Sequence, residues 1–420
     1  QIKNRFFVNG NPEAILMLEV KAESIEKSKE LAIAIITDLK QHKLGYSFPV
    51  LEGNNIQKAI NLRKAGLGLL GNIIGDKKAV ACIEDTAVEL NDLPNYIEEF
   101  TQMMDKYNQK AVYYAHAGAG ELHLRPILNL KKSTDVDLFR KITTDVAQLV
   151  KKYKGSFSGE HGDGIVRSEF IKSMIGEANY NVFKKIKTAF DPNNIFNKGK
   201  IVDAYAMDKN FRYKVDRIEP KIETIQDFSD SLGILRVAEK CNGSGDCRKP
   251  VSAGGTMCPS YRATKNEKDT TRARANALRE FLTNSEKINK FNYKELKNVF
   301  DLCLSCKACA SECPSNVDVA ALKAEFLYQY QKENKPSLRT KLFANNVNYN
   351  KLGSLFPFVT NVILNNYFTK KILGVATKRS IPKLYKFTLK KWYKNNAQRL
   401  QNGEFKNGML YLFCDEFTNY

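Results

Sequence analysis

The chain has 420 residues, of which 43% are hydrophobic and 27% charged, and its formal net charge at pH 7 is +20. This is an ordinary globular composition, and the length predicts two or three domains that each bury a core. The longest apolar run begins at Leu352 and is too short and too interrupted to span a membrane, and no signal peptide opens the chain. We therefore expect a cytoplasmic protein.

The positive charge is concentrated toward the C-terminus. From Lys335 to Arg399 the sequence contains 14 Lys or Arg and no Asp or Glu. We expect this segment to pack against an acidic surface of another segment or subunit. Attraction to a membrane surface is a second interpretation, since Phe, Tyr and Trp392 alternate with Lys, and it would place the protein peripherally at the inner membrane. Nucleic acid is not an expected partner because no nucleic-acid-binding fold is recognisable.

The first residues alternate between strand and helix patterns. Residues 11–20 and the short runs FPVLEG and AVACIED are predicted to be strands. Residues 22–43 have the apolar stripe of a helix, and so does LPNYIEEFTQMMDKYN. The stretch GLGLLG, from Gly66 to Gly71, fits a dinucleotide-binding pattern, but a helical rather than a strand-like segment precedes it, so we do not expect that site.

Two further strands, AVYYAHAG and ELHLRPILNL, flank a glycine turn and precede a long amphipathic helix. The apolar face of that helix consists of Leu138, Ile142, Val146, Leu149, Val150 and Tyr153. These elements predict an α+β domain over residues 1–205, with a ferredoxin-like sheet, mixed or antiparallel, and covering helices.

The rest of the chain divides by composition. Residues 206–232 are polar without a clear period and are predicted to be a linker. Residues 233–335 are predicted to form a mainly α-helical domain with cysteines at its turns, and residues 336–420 a basic helical segment that leads into a missing C-terminal domain. We expect the chain to be an internal fragment of a longer protein.

Histidine is scarce, and three of the four histidines fall in two glycine-rich turns. His116 and His123 flank AGAGEL, and Glu160 and His161 lie in FSGEHGDG. A hairpin at the glycine turn would bring the two imidazoles together, and two His with one Glu form a three-ligand site suited to catalytic zinc or a similar divalent ion. The alternative is that these histidines are structural residues at a tight turn.

Seven of the nine cysteines lie between residues 241 and 313, which favours metal ligation over disulfides. Cys303, Cys306, Cys309 and Cys313-Pro314 have the C-x2-C-x2-C-x3-C-P spacing of an iron–sulfur site. An irregular group precedes them: Cys241, Cys247 and Cys258-Pro259. We expect Cys82 and Cys414, in apolar runs, to be buried free thiols.

Two arrangements of these cysteines are consistent with the spacing. In two-cluster modules the last cysteine of each motif binds the other cluster, which would join Cys258 to Cys303, Cys306 and Cys309. Cys241, Cys247 and Cys313 would then be one ligand short, so a second cluster would be three-iron or would use a non-cysteine ligand. The alternative is one [4Fe–4S] cluster on the second motif alone. A zinc site is a further alternative, which the spacing argues against.

The motifs YAHAGAGELHLRP, SGEHGDG and AFDPNNIFNKGKI resemble the C-terminal substrate domain of FAD-linked 2-hydroxyacid dehydrogenases of the vanillyl-alcohol-oxidase type, over residues 10–205. The resemblance implies that His116, His123 and Glu160 bind a divalent metal and that His161 is the catalytic base. It implies that Arg63, Lys78 and Arg125 hold substrate carboxylates. Ala119-Gly120-Glu121 stands where Asp-Gly-Asn is common in the family, and Arg125 where some relatives have Asn.

CPSYRATKNEKDTTRARANALRE resembles the iron–sulfur subunits of glycolate oxidases. The two resemblances together imply oxidation of a D-2-hydroxy acid, D-2-hydroxyglutarate or D-lactate, with hydride transfer to FAD held mostly by a missing domain. Electrons would then pass through one or two [4Fe–4S] clusters to a quinone or an electron carrier, in a chain that could be a homo-oligomer. The alternatives are an electron-transfer subunit without substrate chemistry and a metallohydrolase fused to a cluster domain.

Overall fold

The computed structural model of the chain describes residues 5–401 and 411–420. These residues form two units, Gln1–Leu327 and Tyr328–Tyr420. Residues 402–410 of the predicted basic segment lie outside the described residues. The domain boundaries suggested by the sequence at 205, 232 and 335 stay predictions.

The strands of the first unit are β1 (Lys78–Ala79), β2 (Ile83–Ala87), β3 (Ala111–His116) and β4 (Glu121–Leu128). Its helices are α1 (Ile25–Gln41), α2 (Asn54–Leu70), α3 (Leu93–Lys106), α4 (Ser133–Lys152), α5 (Ile171–Ile175), α6 (Glu177–Phe190), α7 (Ile234–Glu239), α8 (Pro259–Thr264), α9 (Thr271–Asn284), α10 (Lys294–Asp301), α11 (Ala308–Glu312) and α12 (Val319–Gln331), which ends in the second unit.

The sheet is built around β4, which pairs antiparallel with the three other strands. β3 lies along one edge of β4, with His116 opposite Glu121. β1 and β2 lie along the other edge, with Lys78 opposite Leu128 at its far end. The sheet is therefore antiparallel, which is one of the two forms predicted from the sequence.

β2 contains a bulge. Ile83 lies opposite Leu124 and Thr86 opposite Leu122, so β2 has one more residue than β4 over this stretch. Asp85, within the bulge, has a φ of 75°, a left-handed conformation that is unusual for a residue other than glycine. Because an extra residue re-aims the side chains of a strand, Glu84 and Asp85 both reach the hairpin and the loop after α4.

The core of this sheet lies against α3 and α4. Tyr96 and Phe100 of α3 pack with Phe139 and Ile142 of α4 and with Leu124 of β4, and all five are buried. Burial of large apolar side chains from helix and sheet is the main stabilising contribution here. Cys82 is buried in the same cluster, which confirms the predicted buried thiol, and burial raises its pKa to about 11.

Most predicted elements of the first unit are confirmed. The predicted helices correspond to α1, α3 and α4, and the glycine-flanked hairpin corresponds to β3 and β4. Gly66 and Gly68 lie within helix α2, so the dinucleotide pattern does not follow a strand, as expected. Residues 11–20 and FPVLEG were predicted to be strands, and this is wrong: both are irregular, with no strand beside them among the described residues to pair their backbone.

The second unit consists of short helices: α13 (Leu338–Ala344), α14 (Asn346–Gly353), α15 (Pro357–Asn365), α16 (Tyr367–Ile372), α17 (Leu389–Gln401) and α18 (Glu416–Asn419). Asn361 and Asn365 on α15 bond the backbone of Leu384 and Ile381, which ties an irregular segment to the helix. Cys414, predicted to be buried, is half-buried in an irregular segment. Among the described residues, every helix is too short or too polar to traverse a bilayer.

A buried lysine joins segments that are distant in sequence. The Lys131 ammonium lies 2.9 Å from the Asp76 carboxylate and 2.8 Å from each of the Glu219 and Glu239 carboxylates. Arg236 also pairs with Asp76, at 2.7 Å. One cation thus holds together the sheet domain, the predicted linker and the first helix of the cysteine-rich region.

Replacing Lys131 with Met should destabilise the chain, because three partly buried carboxylates would lose a shared partner. We expect the free energy of unfolding to fall by about 3–5 kcal/mol, measured by denaturant titration. Lys132→Met is the matched control, since Lys132 is exposed. Equal stability of the two variants would contradict a structural role for this network.

Candidate metal site and iron–sulfur ligands

The β3–β4 hairpin brings His116 and His123 together, with their ring centroids 5.5 Å apart. Their strands pair with Tyr114 opposite His123, and a short 3-10 turn joins them. The turn ends at Gly120, whose φ is 71° and where a Cβ atom would lie 2.1 Å from the Val88 carbonyl oxygen. Only glycine fits this position, so the glycine-rich sequence determines the approach of the two imidazoles.

Asp85 holds the loop that carries Glu160 and His161. Its carboxylate accepts hydrogen bonds from the backbone N–H of Glu160 at 2.8 Å, the N–H of His161 at 2.7 Å and the Ser158 hydroxyl at 2.9 Å. Burial acts to raise the pKa of Asp85, but hydrogen bonds from Glu121 and from these backbone groups outweigh it and lower the pKa to about 2. An ionised carboxylate in the bulge therefore fixes the loop to the sheet.

The carboxylate of Glu160 lies at the centre of three imidazoles. Its Oε1 atom is 3.2 Å from Nε2 of His161, 3.6 Å from Nε2 of His116 and 3.9 Å from Nε2 of His123. Ligand atoms of His116, His123 and Glu160 all lie within 4.8 Å of one another. The three residues predicted to bind a metal are thus placed as one donor set, and the His161 ring stacks on His123 at 5.2 Å.

The donor set fits a divalent ion. His123 is 3% exposed, and burial lowers its pKa, which favours the neutral imidazole that binds metals. His123 Nδ1 and Glu121 Oε1 are buried and find no hydrogen-bond partner among the described residues. Two imidazoles and a carboxylate are the ligands of a catalytic metal site that keeps one position open for substrate. The side chains of His116 and Glu160 are partly exposed, so a substrate can reach this position from solvent.

Sequence reasoning missed Glu84 and the acidic pair behind the site. Glu84 Oε1 lies 3.5 Å from Nδ1 of His123 and 3.9 Å from Nδ1 of His161. Neither contact is a hydrogen bond, but the charge of the carboxylate acts on both rings from the Nδ1 side. The acidic pair is Asp85 and Glu121. A hydrogen bond with Asp85, together with burial, raises the pKa of Glu121 to about 7. The signal in the sequence was the pair Glu84-Asp85 inside the apolar run AVACIED.

Of the three predicted substrate cations, Arg63 is the one that lies beside the site without a carboxylate partner among the described residues. It stacks 4.6 Å over the Tyr114 ring, and its Nη2 is 3.3 Å from Nδ1 of His116. Arg125 is on the expected face of β4, but its guanidinium donates two hydrogen bonds to the Glu84 carboxylate. Its charge is therefore already paired.

Lys78 is not brought beside the other predicted site residues, and its role in binding substrate stays a prediction. Lys78 pairs with Leu128, at the end of β4 remote from the hairpin turn, and its ammonium donates to the Ile73 carbonyl. Burial lowers the pKa of Lys78. The physical reason is the antiparallel register, which places the start of β1 beside the end of β4.

Cysteines from both motifs line one pocket. Cys258 of the irregular group faces it together with Cys303, Cys306 and Cys309. Two helix N-termini point at these sulfurs: the Thr271 N–H of α9 donates to Cys258 Sγ at 3.1 Å, and the Val319 N–H of α12 donates to Cys309 Sγ at 3.3 Å. Backbone N–H groups and the positive ends of helix dipoles stabilise thiolates that bind a metal cluster.

The other cysteines of this region are Cys241, Cys247 and Cys313, and the charges of the first two act on the third. Burial raises the pKa of Cys313, and the charges of Cys241 and Cys247 raise it further. A hydrogen bond from Cys258, followed by one from the Arg272 N–H, lowers the pKa of Cys247 to about 6. The nine cysteines, all among the described residues, are free thiols.

Two family models match the chain. Residues 4–201 match the FAD linked oxidases, C-terminal domain, and residues 240–318 match the 4Fe-4S dicluster domain. Residues 4–201 therefore form an FAD-linked oxidase C-terminal domain, and a 4Fe–4S domain follows it. An α+β domain followed by a mainly helical iron–sulfur domain is thus confirmed.

The chain is also similar to curated proteins. It is 29% identical to D-2-hydroxyglutarate dehydrogenase of Haemophilus influenzae over 91% of its length, and 31% identical to the protein of that name in Escherichia coli over 76%. A D-lactate dehydrogenase of Archaeoglobus fulgidus is 30% identical over 30% of the chain. The chain spans 41%, 34% and 28% of these three relatives. The resemblance inferred from the motifs is confirmed.

Replacing Glu84 with Gln should weaken the metal site without removing a ligand. The substitution takes away the charge that orients His123 and His161, and we expect metal affinity to fall by about 10–100-fold in competition with a chromophoric chelator. Glu98→Gln is the control, since Glu98 is exposed on α3. Unchanged affinity in a folded Glu84→Gln protein would show that Glu84 has no part in the site.

Proposed function

We propose that the chain is part of an enzyme that oxidises a D-2-hydroxy acid to the 2-oxo acid, with FAD accepting the hydride and iron–sulfur clusters passing the electrons on. The observation that carries this proposal is the convergence of three Nε2 atoms on Glu160 Oε1, with Arg63 beside them. The names of the relatives in Haemophilus influenzae and Escherichia coli support the reaction class.

His116, His123 and Glu160 would hold a divalent ion, for which zinc suits the donor set. When bound, such an ion would polarise the substrate hydroxyl and lower its pKa. His161 supplies the base beside it. Its Nε2 atom lies 3.2 Å from Glu160 Oε1, on the side of the proposed metal ligands, and is the atom proposed to accept the hydroxyl proton.

Arg63 is the residue proposed to hold the substrate carboxylate. Its guanidinium is positioned by the Tyr114 ring and by the Ala115 carbonyl at 3.2 Å, which leaves donors for a carboxylate. Lys78 lies elsewhere and Arg125 is paired with Glu84. The cations of this site thus account for one carboxylate, and D-2-hydroxyglutarate is preferred over D-lactate on the names of the relatives rather than on the number of cations.

Cys258, Cys303, Cys306 and Cys309 would hold a [4Fe–4S] cluster, which supplies one-electron transfer when bound. Cys306 is exposed, so this side of the pocket is where an electron acceptor, a quinone or an electron carrier, could approach. Substrate chemistry and electron exit would then use separate residues of the same unit. Variants should therefore impair one function at a time.

In the flavin-loaded holoenzyme, His161→Asn should lower the rate of flavin reduction by substrate by about 100-fold or more, because the base is lost. Chemical reduction of the clusters should be unchanged. Stopped-flow absorbance measures the first rate and dithionite titration the second. His42→Asn is the matched control, since His42 is exposed at the end of α1. Wild-type flavin reduction in His161→Asn would exclude His161 as the base.

Cys306→Ser should show the reverse behaviour. Flavin should still be reduced by substrate in a single turnover, whereas reoxidation by a one-electron acceptor should slow by at least ten-fold, because the exposed cluster ligand is lost. Cys414→Ser, in the second unit, is the control. If a folded, flavin-loaded Cys306→Ser protein turned over at the parental rate, the cluster would not lie on the electron path.

Metal analysis separates this proposal from its rivals. We expect about one divalent, non-iron metal per chain, lost in His116→Ala while the cluster absorbance is retained. A well-folded chain without such a metal would favour an electron-transfer subunit. Metal-dependent hydrolysis without flavin reduction would favour a metallohydrolase.

A further inference from the structure

The second group of cysteines is incomplete for a four-thiolate cluster. With Cys258, Cys303, Cys306 and Cys309 lining one pocket, Cys241, Cys247 and Cys313 are the thiols left in this region. The spacing Cys241-x2-Ser244-x2-Cys247 repeats the C-x2-C-x2-C of the complete motif with serine in place of the middle cysteine. A domain that matches the dicluster family thus has seven cysteines, of which four line one pocket and three do not.

Contacts with the end of α2 bring the segments next to Cys241 and Cys313 together. At the end of α2, a Cβ atom on Gly71 would lie 3.1 Å from Ser315 Oγ and 3.6 Å from the Lys240 carbonyl oxygen. The Asn72 amide donates to the Pro314 carbonyl at 3.3 Å. The chain leading into Cys241 and the chain leaving Cys313 therefore converge on the same helix end.

Helix α9 contacts Cys241 and Cys247 from one face. Arg272 and Asn276 are one turn apart; the Arg272 N–H bonds Cys247, and the Asn276 amide lies 3.9 Å from Cys241 Sγ. Arg212 donates to the Cys241 carbonyl at 3.0 Å and to the Asn276 amide oxygen at 3.2 Å. Arginines beside the sulfurs offset the charge that several thiolates would bring together.

Cys258 bonds Cys247 but also lines the pocket with Cys303, Cys306 and Cys309, so we assign it to that site. Cys82 is buried in the core of the sheet domain, and Cys414 belongs to the second unit. Ser244 is exposed, and the neighbouring Asp246 carboxylate pairs with Lys249. By the spacing of the motif, Ser244 stands where the complete motif has its middle cysteine, so a fourth thiolate is missing at residue 244.

We propose that Cys241, Cys247 and Cys313 bind a second iron–sulfur cluster through three thiolates, with the corner facing residue 244 lacking a protein thiolate. The oxidised, isolated protein then contains a [3Fe–4S] cluster at this site beside a [4Fe–4S] cluster at Cys258, Cys303, Cys306 and Cys309. The inference rests on the iron–sulfur domain and not on the proposed oxidation of a 2-hydroxy acid, so it is tested on the clusters themselves.

The test uses the full chain with its clusters, analysed for iron and by EPR. An oxidised three-iron cluster has an unpaired electron, whereas a resting [4Fe–4S] cluster is EPR-silent. We expect about seven irons per chain and a three-iron signal of about one spin. Cys313→Ser should lose the signal and about three irons, while the control Cys414→Ser should keep both. Flavin and substrate are not needed for these readouts.

The variant Ser244→Cys tests the missing fourth ligand directly, because it restores the complete cysteine motif in an exposed loop. We expect it to gain about one iron and lose the three-iron signal, whereas the control Ser244→Ala keeps both unchanged. A signal that persists in Ser244→Cys would overturn the proposed open corner. About four irons with no such signal would mean one cluster, and about eight irons with no signal would mean a fourth protein ligand; either result contradicts the proposal.

Discussion

The metal site depends on the bulge in β2. One extra residue between Ile83 and Thr86, with Asp85 in a left-handed conformation, turns two neighbouring carboxylates toward the same region. In a regular strand Glu84 and Asp85 would face opposite sides of the sheet. Here Glu84 reaches the imidazoles, and Asp85 fixes the loop of Glu160 and His161.

The bulge also explains why the site is built partly from unfavourable local features. A non-glycine residue at positive φ and a buried carboxylate each raise the free energy of the folded chain. Backbone N–H groups of the loop offset the cost at Asp85, and Arg125 does so at Glu84. Gly159 is required in the same place, since a Cβ atom there would lie 2.8 Å from Glu121 Oε1.

The sequence predicted the parts of the site that depend on local pattern. The glycine turn between His116 and His123 and the SGEHGDG loop were sufficient to group three ligands and a neighbouring histidine. The role of Glu84 could not be predicted, because the alternation rule assigns a face to each residue and a bulge breaks that rule. The position of Lys78 could not be predicted for a related reason: separation along the chain does not reveal which end of β4 a short strand pairs with.

Helix α2 connects the two candidate sites within the first unit. It carries Arg63 beside His116, and a Cβ atom on its Gly68 would lie 2.4 Å from Pro314, next to Cys313. Helix α2 therefore contacts both the hairpin of the metal site and the segment that follows Cys313. The buried Lys131 network also joins the sheet domain, through Asp76, to helix α7, through Glu239.

The central claim is that His116, His123 and Glu160 form one metal site, and anomalous X-ray scattering from a zinc-loaded crystal of the chain tests it directly. We predict a single strong zinc peak about 2.0–2.2 Å from the two Nε2 atoms and from a Glu160 oxygen. Zinc bound only at the cysteines, or no peak between the hairpin and the Glu160 loop, would contradict the account.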